Sequence, residues 1–350
     1  MISYDITEWG KPLQQSLREP PQPAGAELLI RLKYCGICHS DVHIRDGYFD
    51  LGGGKKFHMS ERGMKLPVTM GHEPFGTVVA AGPGAFGAPL GQDVLIYPWT
   101  GCGTCPRCQE GMDNWCPTPR FLGIQRPGGY AQYMIVPDAR YLIDAAGIEP
   151  EFAPILACSG LTTYSAARKL MPCDPQDWIV VMGAGGLGLM AVAMLKALGH
   201  QHIAVCDIDE RKWPAALALG ASEVINPAQA GAAAQLAGLV GGVWGVLDLV
   251  GAASTAQLGL ASLRKGGRYV VVGLYGGEIP ISLVPMAQRA ITLQGSYVGS
   301  PQELREVVAL AQSGRLQRIP TAVCPANEIS SQLDRLKTGE VVGRMVARWD

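Results

Sequence analysis

The chain has 350 residues, 48% of them hydrophobic, and its 29 basic and 30 acidic side chains leave a formal charge of −1. That length favours two domains, each large enough to bury its own core, and the near-neutral balance gives no electrostatic ground for nucleic acid or an anionic membrane as partner. The N-terminal run 1–9 lacks the basic start and apolar core of a signal peptide, and the apolar runs are broken by glycine or charge before about 18 residues, so a cytoplasmic protein without a membrane span is expected.

In chain order, the first half reads as β-rich. Residues 28–34, 76–80, 93–97 and 130–136 are strand-like and are separated by Gly/Pro-rich turns. Residues 50–66 differ. Gly52-Gly53-Gly54 is followed by Lys55, Lys56, Arg62 and Lys65, which reads as an inserted basic loop, either solvated or offering a partner to a carboxylate-bearing substrate. From about Cys158 the texture changes. Short apolar strands at 178–182, 203–206, 243–250 and 268–274 alternate with helical stretches at 187–198 and 210–219, and the Ala-rich run 228–238 also reads as helical. Such alternation predicts a parallel, doubly wound sheet. A helix over 301–313 and a strand over 344–348 close the chain.

Four cysteines, Cys102, Cys105, Cys108 and Cys116, follow C-x2-C-x2-C-x7-C. Four thiolates at this spacing can close a tetrahedron around one zinc ion and leave no open position, which predicts a structural site. In a long chain with cysteines grouped this way, a disulfide framework is not expected. Cys35, Cys173, Cys206 and Cys324 fit no metal pattern and read as small buried hydrophobes.

Gly183-Ala-Gly185-Gly186-Leu187-Gly188 matches G-x-G-x-x-G. The match follows a strand and opens a helix, the context in which a pyrophosphate rests on a helix N-terminus. Asp207 ends the next strand, where a carboxylate accepts hydrogen bonds from an adenosine ribose and repels a 2′-phosphate. NAD is therefore expected over NADP. Arg211 and Lys212 read as a solvated helix face.

Three further segments carry ligand-type residues: Gly36-Ile-Cys38-His39-Ser40-Asp41-Val-His43, Gly71-His72-Glu73, and Cys158 in Ala-Cys158-Ser-Gly-Leu-Thr162. Spacing does not join segments so far apart, and each cysteine or histidine taken singly reads equally as core.

Together with the cysteine lobe and the glycine loop, these segments resemble a zinc-dependent alcohol dehydrogenase of the medium-chain dehydrogenase/reductase family, over essentially the whole chain. Two cysteines and one histidine are the catalytic zinc set of alcohol dehydrogenase itself. The runs Leu51-Gly-Gly-Gly-Lys55 and Gly295-Ser-Tyr-Val-Gly299 are similar to bacterial enzymes of the 6-hydroxyhexanoate dehydrogenase type. The resemblance implies a GroES-like β-rich catalytic domain over 1–157 and 295–350, with the zinc lobe at 100–118, and a Rossmann domain over 158–294. It implies two zinc ions per chain. One would be bound by Cys38, His72 and Cys158 with Glu73 close by, and the other by Cys102, Cys105, Cys108 and Cys116.

Asp41 would orient His72. Ser40 and His43 would relay the proton that a zinc-held alcohol gives up. His39, in place of the arginine of some relatives, and Arg344 would face the NAD pyrophosphate. Thr162 would support the nicotinamide. Gly183, Gly185, Gly186, Leu187, Gly188, Asp207, Gly273 and Leu274 would contact the cofactor, and Trp99 and Tyr48 the substrate. The implied reaction is reversible hydride transfer from a primary or secondary alcohol to NAD⁺, giving an aldehyde or ketone, with medium-chain, cyclic or ω-hydroxy-acid alcohols as candidate substrates and a homo-oligomer, tetramer or dimer, as the assembly. A carbonyl reductase and a non-catalytic zinc- and NAD-binding protein are the alternatives. A nucleic-acid-binding zinc ribbon lacks its basic stripe, and the resemblance would leave a zinc-free quinone reductase without Cys38, His72 and the cysteine lobe.

Overall fold

The computed structural model describes residues Met1–Trp349. Strand Leu28–Ile37 is the spine of the first sheet. It pairs antiparallel with Pro74–Ala81, with Tyr133–Val136 and with the C-terminal strand Arg344–Arg348. Asp93–Ile96 and Leu142–Asp144 extend the sheet on one side, and Thr321–Pro325 lies parallel to Arg344–Arg348 on the other. The chain thus returns at its end to the sheet of Leu28–Ile37, and this return carries Arg344 beside Ile37 and Cys38.

The second sheet has six strands, all parallel, in the order Glu223–Ile225, Ile203–Cys206, Trp178–Met182, Val243–Asp248, Leu263–Val271, Thr292–Gly295. Alternate side chains of a strand point to opposite faces. In Trp178–Met182, Ile179 and Val181 enter one large apolar cluster, while Val180 and Met182 enter a second with Ala204, Val246 and Tyr269. Burial on both faces explains why this strand reads as an unbroken apolar run. Strand order reverses beside Trp178–Met182, so the carboxyl ends of it and its neighbours open the crevice in which such folds bind ligands. Gly183, Asp207, Val250 and Gly273 all lie at those ends. No helix among the described residues is long and apolar enough to cross a membrane.

Several elements differ from the sequence reading. The basic segment is a hairpin and not a loop: Tyr48–Gly52 pairs antiparallel with Lys55–His58. Gly52, Gly53 and Gly54 at φ 83°, 57° and 77° make the turn, in a backbone region that glycine enters at little cost. The helix expected from Glu210 opens instead as a 3₁₀ turn, Glu210–Lys212, and becomes α-helical at Trp213–Ala218, because Pro214 lacks an N–H and is tolerated only in a helix's first turn. The strand expected over 243–250 stops at Asp248, whose carboxylate accepts the N–H groups of Val250 and Gly251 and turns the chain. The strand expected over 130–136 begins only at Tyr133.

In the Gly183–Gly188 turn, Gly183 sits at φ 98°, and a Cβ on Gly188 would stand 1.8 Å from the Gly183 carbonyl oxygen. Gly188→Ala is expected to cost about 1–3 kcal/mol by overpacking against backbone and to weaken dinucleotide binding. Thermal unfolding with and without NADH checks this, and an unchanged midpoint in both would contradict the close approach.

Candidate metal and nucleotide site

Cys38 follows the spine strand and is the N-cap of helix His39–Asp46. Asp41, in the first turn, reaches back so that its Oδ2 accepts the Cys38 N–H at 3.0 Å. The same buried carboxyl accepts the Tyr130 hydroxyl at 2.8 Å, and its Oδ1 lies 3.0 Å from His72 Nδ1. With Nδ1 carrying the proton, the lone pair of His72 is on Nε2. That atom is buried and has no hydrogen-bond partner among the described residues, a rare state for a buried polar atom that calls for an explanation.

Cys158 approaches from another part of the chain. A continuous helical segment, Ala153–Ile155 and then Leu161–Arg168, is interrupted by a π-helical turn, Leu156–Gly160, that carries it. Such turns recur at functional sites. Cys38 and Cys158 have their sulfurs 3.9 Å apart. A disulfide requires about 2.05 Å, whereas two thiolates on one tetrahedral zinc, each at about 2.3 Å, stand about 3.8 Å apart. The donor atoms of Cys38, His72, Glu73 and Cys158 all lie within 4.8 Å of one another, and all four residues are buried. The donor set, the sulfur spacing and the orphaned Nε2 fit a zinc ion. A hydrogen bond from Cys158 holds the Cys38 thiol well below its ordinary pKa, against burial and aided by the Arg344 charge, and Cys158 is raised in turn.

Glu73 lies behind this cluster. Burial pushes its carboxyl up to about 7, with the Arg344 guanidinium beside it opposing the rise. Arg344 donates to both Glu73 oxygens. Two glycines make room for the pair. A Cβ on Gly36 would lie 1.8 Å from Glu73 Oε2, and one on Gly186 would lie 2.3 Å from Arg344 Cδ. Arg344 therefore runs beneath the glycine loop while its charge is turned on Glu73, as well as bordering the cavity.

In the cysteine lobe, sulfur separations of 4.0 Å (Cys102–Cys108), 3.5 Å (Cys105–Cys108) and 3.8 Å (Cys105–Cys116) match the same tetrahedral edge. N–H groups of Cys102 and Cys105 point to Cys116 and Cys102 sulfurs at 3.3 and 3.4 Å. Buried Asp113 anchors the lobe, accepting the Tyr141 hydroxyl at 2.7 Å and Arg140 at 3.1 Å.

One cavity joins the Cys38–His72–Cys158 cluster to the glycine loop. Its lining includes His39, Ser40, His43, Trp99, Thr162, Gly183, Gly185, Gly186, Leu187, Gly188, Asp207, Gly273, Leu274 and Arg344, so the structure brings together nearly every residue singled out in the sequence. Asp207 accepts the Ala184 N–H at 2.6 Å and the Asp209 N–H at 2.8 Å, which ties the glycine loop to the next strand end.

Two placements correct the sequence reading. Lys212 is not on a solvated face: it is largely covered, lies 3.6 Å from both Asp207 and Asp209, and lines the cavity. Tyr48 does not reach the cavity. It packs on His58 and under the Lys56 ammonium, 3.7 Å from its ring centroid. The next residue, Phe49, points to the opposite face of the strand, contacts His43 at 5.2 Å and lines the cavity. Trp99 both packs and lines: its Nε1 donates to the Ala157 carbonyl and its ring lies 5.3 Å from His72.

Sequence reasoning missed Tyr130, Phe49 and Tyr297 as site residues, whereas Arg62 was singled out with the basic segment 50–66. The Gly295–Gly299 run pointed toward Tyr297. In that run Val298 sits at φ 41°, which for a β-branched residue costs about 1–3 kcal/mol. The turn is held by Tyr97, whose hydroxyl donates to Gly299 O at 2.7 Å, and by Asn114, whose Nδ2 donates to Tyr297 O at 3.1 Å.

Comparison with known proteins places this geometry. Residues 24–146 match the alcohol dehydrogenase GroES-like domain, and residues 186–313 match the zinc-binding dehydrogenase domain. The chain is 36% identical over 349 residues to an NAD-dependent alcohol dehydrogenase of Saccharolobus solfataricus, covering 99% of each chain. It is 34% identical over 350 residues to an alcohol dehydrogenase of Geobacillus stearothermophilus, covering 99% of this chain and 98% of the relative. The crystal structure of the Aeropyrum pernix alcohol dehydrogenase superposes over 100% of both chains with a TM-score of 0.90 at 31% identity.

Metal analysis of the purified protein is expected to return about two zinc per chain, with Cys38→Ser losing one and Cys116→Ser the other. Tyr130→Phe removes one of the three donors to Asp41 and is expected to weaken zinc retention about 10-fold or more. Chelator competition measures it, and wild-type retention would show that Asp41 needs no support from Tyr130.

Proposed function

The chain belongs to the zinc-dependent alcohol dehydrogenases of the medium-chain dehydrogenase/reductase family and is an NAD-dependent alcohol dehydrogenase, and on that premise we propose how its residues divide the work. Cys38, His72 and Cys158 hold the catalytic zinc. The observation that carries this assignment is the buried His72 Nε2, turned away from Asp41 and left without a partner beside two thiols. Bound zinc supplies Lewis acidity to an alcohol oxygen, and bound NAD⁺ supplies the hydride acceptor. Ser40 takes the alcohol proton and His43 passes it on. Burial, and then the neighbouring His39, lower the His43 pKa, so its imidazole is free to accept a proton at neutral pH. Trp99 and Phe49 close the reacting centre against water. Arg344 holds Glu73 and keeps its carboxylate near the ligand set. Thr162 supports the nicotinamide, His39 faces the pyrophosphate, and Gly273 and Leu274 border the nicotinamide half of the cleft. Asp207 receives the adenosine ribose, with Lys212 beside it, and its carboxylate favours NAD over NADP. The reverse reaction, reduction of an aldehyde or ketone, uses the same groups.

The catalytic unit comprises 1–157 with 295–350, and the nucleotide unit 158–294. This division is supported by the second sheet ending at Thr292–Gly295. A cytoplasmic location is supported by ten cysteines that are all free of disulfides. Self-association is supported by strand Thr292–Gly295, an edge whose outer side is unpaired among the described strands, and by the exposed Leu274, Tyr275, Ile281, Leu283 and Val284 nearby in sequence. Sedimentation equilibrium is expected to give a homo-oligomer, tetramer or dimer, and a monomer at micromolar concentration would overturn that part of the reading.

Cys38→Ser is expected to abolish alcohol oxidation, and His43→Gln to lower kcat/KM about 100-fold while retaining both zinc ions and NADH binding. Steady-state kinetics with NAD⁺ tests both. Full activity of Cys38→Ser overturns the zinc assignment, and wild-type activity of His43→Gln overturns the relay.

A further inference from the structure

The segment before the final strand lies along the nucleotide end of the cavity. Leu336, Lys337, Gly339, Val341, Gly343 and Arg344 all border it. Three contacts fix the course of this segment. Lys337 ends helix Ile329–Lys337, and its Nζ lies 2.6 Å from Asp46, the last residue of helix His39–Asp46. The Gly339 carbonyl accepts at 3.4 Å from Arg211, which pairs with Asp209 just past Asp207. The Gly343 carbonyl stands 2.5 Å from where a Cβ on Gly186 would lie. The segment thus leads from helix His39–Asp46 to the Gly183–Gly188 turn, with Lys337 at its start. His39, His43 and Asp46 are spaced to share one face of their helix. The two histidines line the cavity with ring centroids 5.3 Å apart, so Asp46 extends that face and Lys337 lies over it.

The lysines and arginines lining the cavity are Arg62, Lys212, Lys337 and Arg344. A dinucleotide brings a negatively charged diphosphate to the glycine turn, and three of these cations are engaged elsewhere. Arg344 gives its Nη2 to both Glu73 oxygens, and the pair is buried. Lys212 lies 3.6 Å from both Asp207 and Asp209, at the ribose end. Arg62 donates to the Tyr297 hydroxyl at 3.1 Å, and Tyr297 packs on Trp99 toward His72, at the metal end. Lys337 is left. Its side chain is 52% exposed in its pair with Asp46. An ion pair so open to water contributes about 0–1 kcal/mol, and an ammonium on a flexible four-carbon stem changes partners readily.

We propose that Lys337 is a cofactor-binding residue: its ammonium is held by Asp46 while the cleft is empty and moves to the diphosphate when a dinucleotide settles on the Gly183–Gly188 turn. Lys337 then supplies the charge that Arg344 spends on Glu73, and Asp46 competes with the cofactor for it. This role rests on the nucleotide reading above.

The test measures dissociation constants on the zinc-loaded protein, for NADH by fluorescence titration, for ADP-ribose by calorimetry and for adenosine by competition with NADH. The variants are Lys337→Gln, Lys337→Arg, Asp46→Asn and the double variant Lys337→Gln/Asp46→Asn. Lys337→Gln is expected to weaken NADH and ADP-ribose about 5–30-fold, the size of a charged hydrogen bond less the surface pair given up for it, and to leave adenosine, which has no phosphate, unchanged. Lys337→Arg should keep most of the affinity. Asp46→Asn should tighten NADH about 2–5-fold by removing the competitor, and should do nothing once Lys337 is gone. Equal NADH affinity in wild type and Lys337→Gln overturns the proposal. A loss that extends equally to adenosine also overturns it, since it marks a structural role. Tightening by Asp46→Asn that persists without Lys337 overturns the exchange between the two partners. A wild type that binds neither NADH nor ADP-ribose overturns the nucleotide reading and this proposal with it.

Discussion

One buried carboxyl group, that of Asp41, fixes the metal site before any metal arrives. It gathers the Cys38 N–H, His72 Nδ1 and the Tyr130 hydroxyl within 3.0 Å, and so joins a helix N-terminus, the turn after Met70 and the approach to strand Tyr133–Val136. An acid buried without donors would cost several kcal/mol. With three donors the cost is offset, and the network specifies a single arrangement. Asp41 thereby sets both the tautomer and the aim of His72, while the same side chain caps the helix that Cys38 begins. The placement of Cys38 and His72 follows from helix capping by Asp41, so the proposed zinc ligands are held before a metal binds.

Behind that network, Glu73 and Arg344 couple the metal site to the nucleotide loop. Arg344 lies on the last strand, so the final turn of the chain back to the first sheet completes a site begun at Cys38. Both partners are buried, and removing Glu73 would leave the Arg344 charge uncompensated, a loss of about 3–5 kcal/mol in such pairs. Gly36 and Gly186 have no positive φ to explain them. The volume a Cβ would need is occupied by the Glu73 side chain at Gly36, and by the Arg344 side chain and the Gly343 carbonyl at Gly186. Since Gly186 also opens helix Gly186–Ala197, a shift of Arg344 would be felt at the Gly183–Gly188 turn.

What was legible in the sequence follows how local each signal is. Strands Trp178–Met182, Ile203–Cys206 and Arg344–Arg348 have the bounds expected: burial makes the first two unbroken apolar runs, and in the third arginines bracket an apolar Met-Val-Ala core. The four-cysteine spacing and the glycine loop are local patterns with their chemistry written into them. The hairpin Tyr48–His58 was not legible, since Lys-Lys-Phe-His carries no alternation that marks a buried face. The choice between Tyr48 and Phe49 turns on strand phase, which sequence leaves open when neither face is deeply buried. Lys212 was misplaced because a lysine near a carboxylate looks solvated until the fold covers it. Cys38, His72 and Cys158 are separated by stretches that no spacing rule spans, and only resemblance joined them. Arg62 and Tyr297 lie 235 residues apart, and their contact exists only in the folded chain.

The cysteine lobe has more reach than a closed thiolate site would suggest. Asp113, inside the lobe, accepts the Tyr141 hydroxyl, and Tyr141 stacks on Tyr97 with ring centroids 6.0 Å apart. Tyr97 in turn holds Gly299, and the lobe's own Asn114 holds Tyr297. Both hooks grip the one turn whose Val298 is strained, and strain of that size persists only where surrounding contacts over-determine the backbone. The lobe supplies those contacts. The lobe thus reaches the cavity wall through a hydrogen bond and an aromatic stack, because the turn it grips carries Tyr297, which lines the cavity and accepts a hydrogen bond from Arg62.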